Sequence, residues 1–215
     1  MALGLNLGGG SGSITPICKW DSRSGRMFIV NREDGQDQLQ EVGAGTFKAC
    51  MDLENIEVGS IAFVAGMAPD FHLVKYGEKL PPIPTENHKA GCRLLLKLSK
   101  ELGGEVREIA STAKSFLRAM DELHNAYLAG VQANPNKLPI VILKGSTAVV
   151  SGEGQRKSTN WAPQWEIIGW APRPQDLVYT PRTLSTPVAA SKPPTTGSTP
   201  LAAPVAAVAD PDDFG

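Results

Sequence analysis

Four cations and two flat rings stand close together near the start of the chain. In CKWDSRSGRMFIVNR (residues 18–32), Lys19, Arg23, Arg26 and Arg32 surround Trp20 and Phe28. Mobile cations suit phosphates and flat rings suit unpaired bases, each stacked ring contributing ~1–3 kcal/mol. Alternate residues of a strand share a face. The hairpin is therefore expected to display Trp20, Arg26 and Phe28 together, with Arg23 at the turn and Lys19 on the other side. The competing expectation is that Trp20 and Phe28 are core and the cations merely keep a sheet edge soluble. A second group repeats the combination: Arg156 and Lys157 precede NWAPQWEIIGW, which carries Trp161, Trp165 and Trp170. Pro163 argues for an edge or a bulge there. Trp161 is expected exposed near the loop, with Trp165 and Ile167 packed inside, and Lys48 with Phe47 extends the same surface.

Other chemistry is not signalled. SGEGQRKST (151–159) pairs glycines with Lys157 and Ser158, but a phosphate-cradling P-loop needs glycine directly before its lysine, and Arg156 stands there. GxSxG, HExxH and GxGxxG patterns are absent. Asp52 and Glu54 alternate on a strand and are expected to face water, and His124 is expected to be structural. His72, His88 and His124 show no metal-ligand spacing along the chain, and Cys18, Cys50 and Cys92 form no CxxC pair. The cysteines are expected to be buried free thiols of a reducing cytosol. No metal, no cofactor and no enzymatic activity are expected.

The chain has 215 residues, 41% of them hydrophobic, enough for one sizeable core. It has no apolar run of membrane-spanning length and no charged, apolar leader of the secretory kind. Residues 1–13, rich in glycine, read as a flexible lead-in. From Thr180 the text turns to proline, threonine, serine and alanine, so residues 180–215 read as a disordered tail and 14–179 as the folded domain. Strands are expected at 17–21 and 26–31, two within 46–66 with a break near Glu54–Asn55, then 71–77, 91–98, 139–150 and 160–172. One long helix is expected over 104–130, where Val106, Ile109, Ala110, Ala113, Phe116, Leu117, Met120, Leu123 and Tyr127 follow the three-and-four spacing of a buried face. About seven short strands with one inserted helix predict a mainly β fold, an OB-like small β-barrel. A β-sandwich with the same insertion is the alternative.

The tail closes on VAAVADPDDFG (205–215), in which Asp210, Asp212 and Asp213 precede Phe214. The tip holds three of the 22 acidic residues and none of the 21 basic ones, leaving a mildly positive body. A small barrel with basic and aromatic loops, a Pro/Ala/Thr linker and an acidic, aromatic tip resembles the phage-encoded type of single-stranded DNA-binding protein. That resemblance is architectural. It implies sequence-nonspecific binding of single-stranded DNA in replication or recombination, in a host cytoplasm. It also implies a tail that competes with DNA and recruits partner proteins through Phe214, and possible homo-oligomers. Gly215 departs from the bacterial pattern, in which the phenylalanine is terminal. An inert acidic solubility tail is the plainer reading of the same residues. A virion structural or assembly protein, with arms that order on assembly, is the rival from another class.

Overall fold

The structure is a computed structural model that describes residues 15–33, 36–153 and 157–181, the side chain of Glu33 aside. These residues fall within the first of two compact units of the chain, Met1–Ser185. The lead-in, Arg156 and the tip with Asp210, Asp212, Asp213 and Phe214 lie outside the described residues.

The described chain is mainly β with one α-helix. Its strands are β1 (Ile17–Asp21), β2 (Arg26–Glu33), β3 (Gln36–Val42), β4 (Lys48–Met51), β5 (Glu57–Ala62), β6 (Asp70–Lys75), β7 (Lys89–Leu98) and β8 (Val106–Ser111). Helix α1 (Lys114–Val131) follows, then β9 (Lys137–Ser151) and β10 (Ser158–Pro172). The strands form one ten-stranded sheet in the order β10-β9-β4-β7-β8-β1-β2-β3, with β5 paired to β7 and β6 to β5.

The sheet is open, which corrects the expected barrel: β10 and β3 are free ends of the path, and instead of closing, the sheet branches at β7. On one side of β7, Ala49 and Met51 of β4 pair with Leu98 and Leu96, and further along Glu57 of β5 pairs with Arg93. Between them a single 3-10 turn, Leu53–Asn55, bends the chain where the sequence predicted a break. β5 lies between β7 on one edge and β6 on the other. Gly59 allows the pairing with β6, since its φ is 154° and a Cβ there would lie 2.2 Å from the carbonyl oxygen of His72.

The helix is shorter than expected. Residues 106–111 are β8, a central strand hydrogen-bonded antiparallel to β7 and parallel to β1. Its charged side chains are buried with partners. Arg107 donates to the carbonyl of Val30 at 2.8 Å and to Asn31 Oδ1 at 2.6 Å. Glu108 accepts from Arg93 Nε at 2.8 Å. From Phe116 onward the expected stripe holds: Phe116, Met120, Leu123 and Tyr127 are buried against the sheet. The strand β3 was not foreseen, because QDQLQEV buries only Val42; it is a polar edge strand of the kind that resists edge-to-edge pairing.

Cys18 and Cys92 are buried and Cys50 half-buried, all as free thiols. Burial pushes the Cys18 and Cys92 thiols up to about 12 and that of Cys50 to about 11. An unfolded thiol ionises near ~8.5. These groups therefore contribute stability that is complete below that pH and is lost as pH rises towards 12. At pH 8 a thiol reagent is expected to leave Cys18 and Cys92 unmodified and to label Cys50 slowly, whereas denaturant should release all three. Rapid labelling of three thiols in the native chain would contradict this packing.

Candidate nucleic-acid interface

Directly opposed residues of an antiparallel pair project to the same face, so the register of the first hairpin decides what it displays. Lys19 pairs with Phe28, Trp20 with Met27 and Asp21 with Arg26. One face therefore carries Lys19, Asp21, Arg26, Phe28 and, further along β2, Arg32. The other carries Cys18, Trp20, Met27 and Ile29 and is core. The expectation that Trp20, Arg26 and Phe28 share a face is corrected here. Trp20 is 6% exposed, and its indole Nε1 donates to the carbonyl of Trp161 at 3.1 Å. Crossing the SRSG turn brings Met27, rather than Phe28, opposite Trp20.

On the outer face Lys19 is exposed and Phe28 half-buried. The two arginines there have acidic partners on β3: Arg26 Nη1 donates to Glu41 at 2.9 Å, and Arg32 lies 3.7 Å from Asp37. A strand that the sequence did not reveal thus offsets two of the four hairpin cations. Lys48 is half-buried on β4, between β7 and β9. Phe47 is fully buried, its ring 5.8 Å from that of Trp165, and is core, not part of an exposed surface.

The two predicted groups do meet, at Trp161. Its backbone N–H donates to the carbonyl of Ser22 in the hairpin turn at 2.7 Å, and its carbonyl accepts from Ser115 Oγ at the start of α1 at 3.1 Å. Gly25 fits against it closely, since a Cβ there would meet the Trp161 side chain at 2.9 Å, and its φ of 69° independently favours glycine. Three elements therefore converge on one half-buried indole. They bring exposed cations with them: Arg23 in the turn, Lys114 and Arg118 in the first two turns of α1, and Lys157 just before β10. The helical pair was missed in the sequence because residues 114 and 118 fall inside a longer expected helix whose placement against β10 is non-local.

The other tryptophans follow from two irregularities of the β9–β10 ladder. Lys144 is the extra residue between the pairs Gln164–Gly145 and Trp165–Leu143, and Ile168 is the extra residue between Ile167–Val141 and Gly169–Ile140. An extra residue on one strand shifts the facing of all that follow it. Trp170 thereby turns to the same side as Trp161, Trp165 and Ile167, and all four pack on the main core. A groove of about 740 Å³ runs between α1 and β9–β10, with Trp165 and Trp170 on the sheet side and Arg118, Ala119 and Glu122 on the helix side. Gly130 leaves room for the Trp170 ring, which a Cβ would meet at 2.6 Å. The indole Nε1 of Trp165 is buried without a hydrogen-bond partner in the described structure.

His124 is buried on the helix between Tyr76 and Tyr127, and burial holds its imidazole below the ordinary value, in keeping with a structural side chain. Asp52 is buried rather than facing water: Arg173 grips both its oxygens at 2.7 Å and also donates to Glu54 at 2.9 Å. That clamp ties the end of β10 to the turn between β4 and β5. The chain remains fastened beyond it, since Tyr179 donates to Glu57 at 3.1 Å and the carbonyl of Thr180 accepts from Arg93 at 3.3 Å. No helix among the described residues is long and apolar enough to cross a membrane. No family model, no curated protein and no solved structure matches the chain.

Proposed function

We propose that the protein binds single-stranded nucleic acid, DNA in the first instance, along the edge where Arg23, Lys114, Arg118 and Lys157 surround Trp161. The observation that carries this reading is the convergence of the hairpin turn, the start of α1 and β10 on the Trp161 backbone. Arg23, Lys114, Arg118 and Lys157 are exposed on three separate elements, and among the described residues none of them is held in an ion pair. Phosphates take the cations, and a base stacks on the exposed part of the indole. Lys19 and Phe28, on the outer face of the hairpin, extend the path. The reading does not require a closed barrel, because an open sheet edge flanked by a helix offers the same pairing of charge and ring. On this reading the tip with Asp210, Asp212, Asp213 and Phe214 competes for the cations in the free protein. Released by DNA, it recruits replication or recombination proteins through Phe214.

The test is a titration with an oligo-dT about 30 long at low salt, followed by tryptophan fluorescence. It compares the intact chain with one truncated after Pro181, which spares the Tyr179 and Thr180 contacts. Quenching by the single strand, little by duplex, and tighter binding after truncation are expected. Absence of quenching in both chains would overturn the proposal.

One observation favours an assembly protein instead. The loops on either side of β6 expose Phe63, Met67, Leu80 and Ile83, with Met67 70% exposed. Large apolar side chains left in water at several positions of these loops are available to a protein contact. A protein that sediments as a defined oligomer without DNA and shows no quenching would support that reading.

A further inference from the structure

Asp70, His72 and His88 bring one carboxylate oxygen and two imidazole nitrogens within 4.8 Å of one another. We propose that these three residues bind a divalent first-row transition metal, zinc being the natural fit to the donor set, with a fourth position left open. The inference is independent of nucleic-acid binding.

The backbone prepares the cluster. Asp70 and His72 alternate on β6 and so share a face. The register sets Asp70 against Ala62 and His72 against Ser60 on β5, and on the other side of β5 it sets Lys89 against Ile61. His88, one residue before Lys89, comes to the level of Ala62. A small residue at that point leaves the space above β5 free, and the side chains from β6 and from the start of β7 meet across it. His88 Nε2 lies 3.3 Å from one oxygen of Asp70, and His72 Nε2 lies 3.5 Å from the other. Bonds of ~2.0–2.2 Å to a tetrahedral ion put ligand atoms ~3.3–3.5 Å apart; each imidazole already stands at that distance from one carboxylate oxygen, and small side-chain rotations within a cluster 4.8 Å across bring the three onto one ion.

Two further observations point to a ligand. The side chain of His88 is 4% exposed, yet its Nε2 makes no aligned hydrogen bond, although it faces the carboxylate. Its other nitrogen, Nδ1, is 2.8 Å from the hydroxyl of Thr85. With the proton on Nδ1 and donated to Thr85, Nε2 presents a lone pair to the cluster, the arrangement by which an outer partner orients a metal-binding imidazole. Ser60, opposite His72 on the same face, is 3% exposed and its hydroxyl also has no partner. A water on the open position of the metal would give that hydroxyl one.

Two imidazoles and one carboxylate are the ligands of open zinc sites, whereas an all-oxygen set would favour calcium or magnesium. Such an ion fastens to the sheet the two loops that end at Asp70 and His88. No sequence motif announces it, because the third ligand arrives only through strand pairing.

The test uses the full chain after treatment with a chelator. Zinc alone is titrated by calorimetry, and cobalt is titrated in parallel for the visible bands of tetrahedral coordination. One ion per chain with micromolar or tighter affinity is expected, weakened at least tenfold in Asp70→Asn and in His72→Ala. His72 is only partly buried, so its replacement keeps the test open even where His88→Ala does not fold. Absence of binding below millimolar zinc would overturn the proposal. Binding retained within twofold in both variants would overturn it too, by assigning the zinc to other donors.

Discussion

Replacing Arg93 by methionine is expected to cost ~3–5 kcal/mol of folding stability, the usual loss when one partner of a buried ion cluster is removed. Arg93 is buried on β7 between Glu57 on β5 and Glu108 on β8, and both carboxylates are buried as well. It donates through Nε to Glu108 at 2.8 Å and through Nη1 to Glu57. Without the guanidinium, two buried carboxylates lose the cation that lies between them. The cluster lies where the sheet branches, so strain there reaches β5, β7 and β8 together. It also reaches the C-terminal segment, because Glu57 accepts from Tyr179 and Thr180 accepts from Arg93 itself. Urea denaturation should show the lower midpoint, and limited proteolysis should cut the variant earlier near residue 180. A triple change, Glu57→Leu with Arg93→Met and Glu108→Leu, should recover most of the loss, since an apolar replacement of a whole buried ion cluster is often neutral or stabilising. A loss in Arg93→Met below 1 kcal/mol would overturn the view that Arg93 is what holds the two carboxylates in this site.

That cluster also shows where the sequence was readable and where it was not. Local signals held. The SRSG turn gave the first hairpin, the break near Glu54–Asn55 gave the 3-10 turn, and the end of the strand at Leu98 was found, just before a second 3-10 turn at Lys100–Leu102. What failed was non-local. Residues 106–111 follow a helical spacing by coincidence, but Arg107 and Glu108 find buried partners only in a central strand, and tertiary pairing overrides propensity. The strand β3 has no apolar alternation to announce it. At the candidate interface, Arg23, Lys157 and Trp161 were legible as types. The burial of Trp20 depended on which residue lies opposite it across the turn, and the facing of Trp170 depended on one extra residue, Ile168. The pairing of Arg26 and Arg32 with acids of β3 could not be read without knowing that β3 exists. His72 and His88 became neighbours through two strand pairings, which spacing along the chain does not encode.

Charge reversal at the Trp161 edge separates the nucleic-acid proposal from its rivals most sharply. In Arg23→Glu with Lys157→Glu, two exposed cations become anions, so the effect on folding should be small, within ~0.5 kcal/mol for surface positions. Affinity for an oligo-dT about 30 long at low salt is expected to fall on the order of a hundredfold. The dependence on salt carries more information than the loss itself. Each phosphate contact removed lowers the slope of log affinity against log salt by ~0.7 for a single strand, so losing two contacts should flatten the slope by ~1.4. A second variant, Lys19→Glu, tests the outer face of the hairpin, where Arg26 and Arg32 already have acidic partners. Its effect should be smaller, because the local field there is closer to neutral. Should Lys19→Glu instead cost more than the double change, the nucleic acid would lie on the outer face of β1 and β2 rather than at Trp161. A hundredfold loss with an unchanged slope would indicate that the substitutions disturb the indole rather than the phosphate contacts. Trp161→Phe alone, which keeps a ring in that position but loses the indole, should then reproduce the loss of affinity at the same unchanged slope.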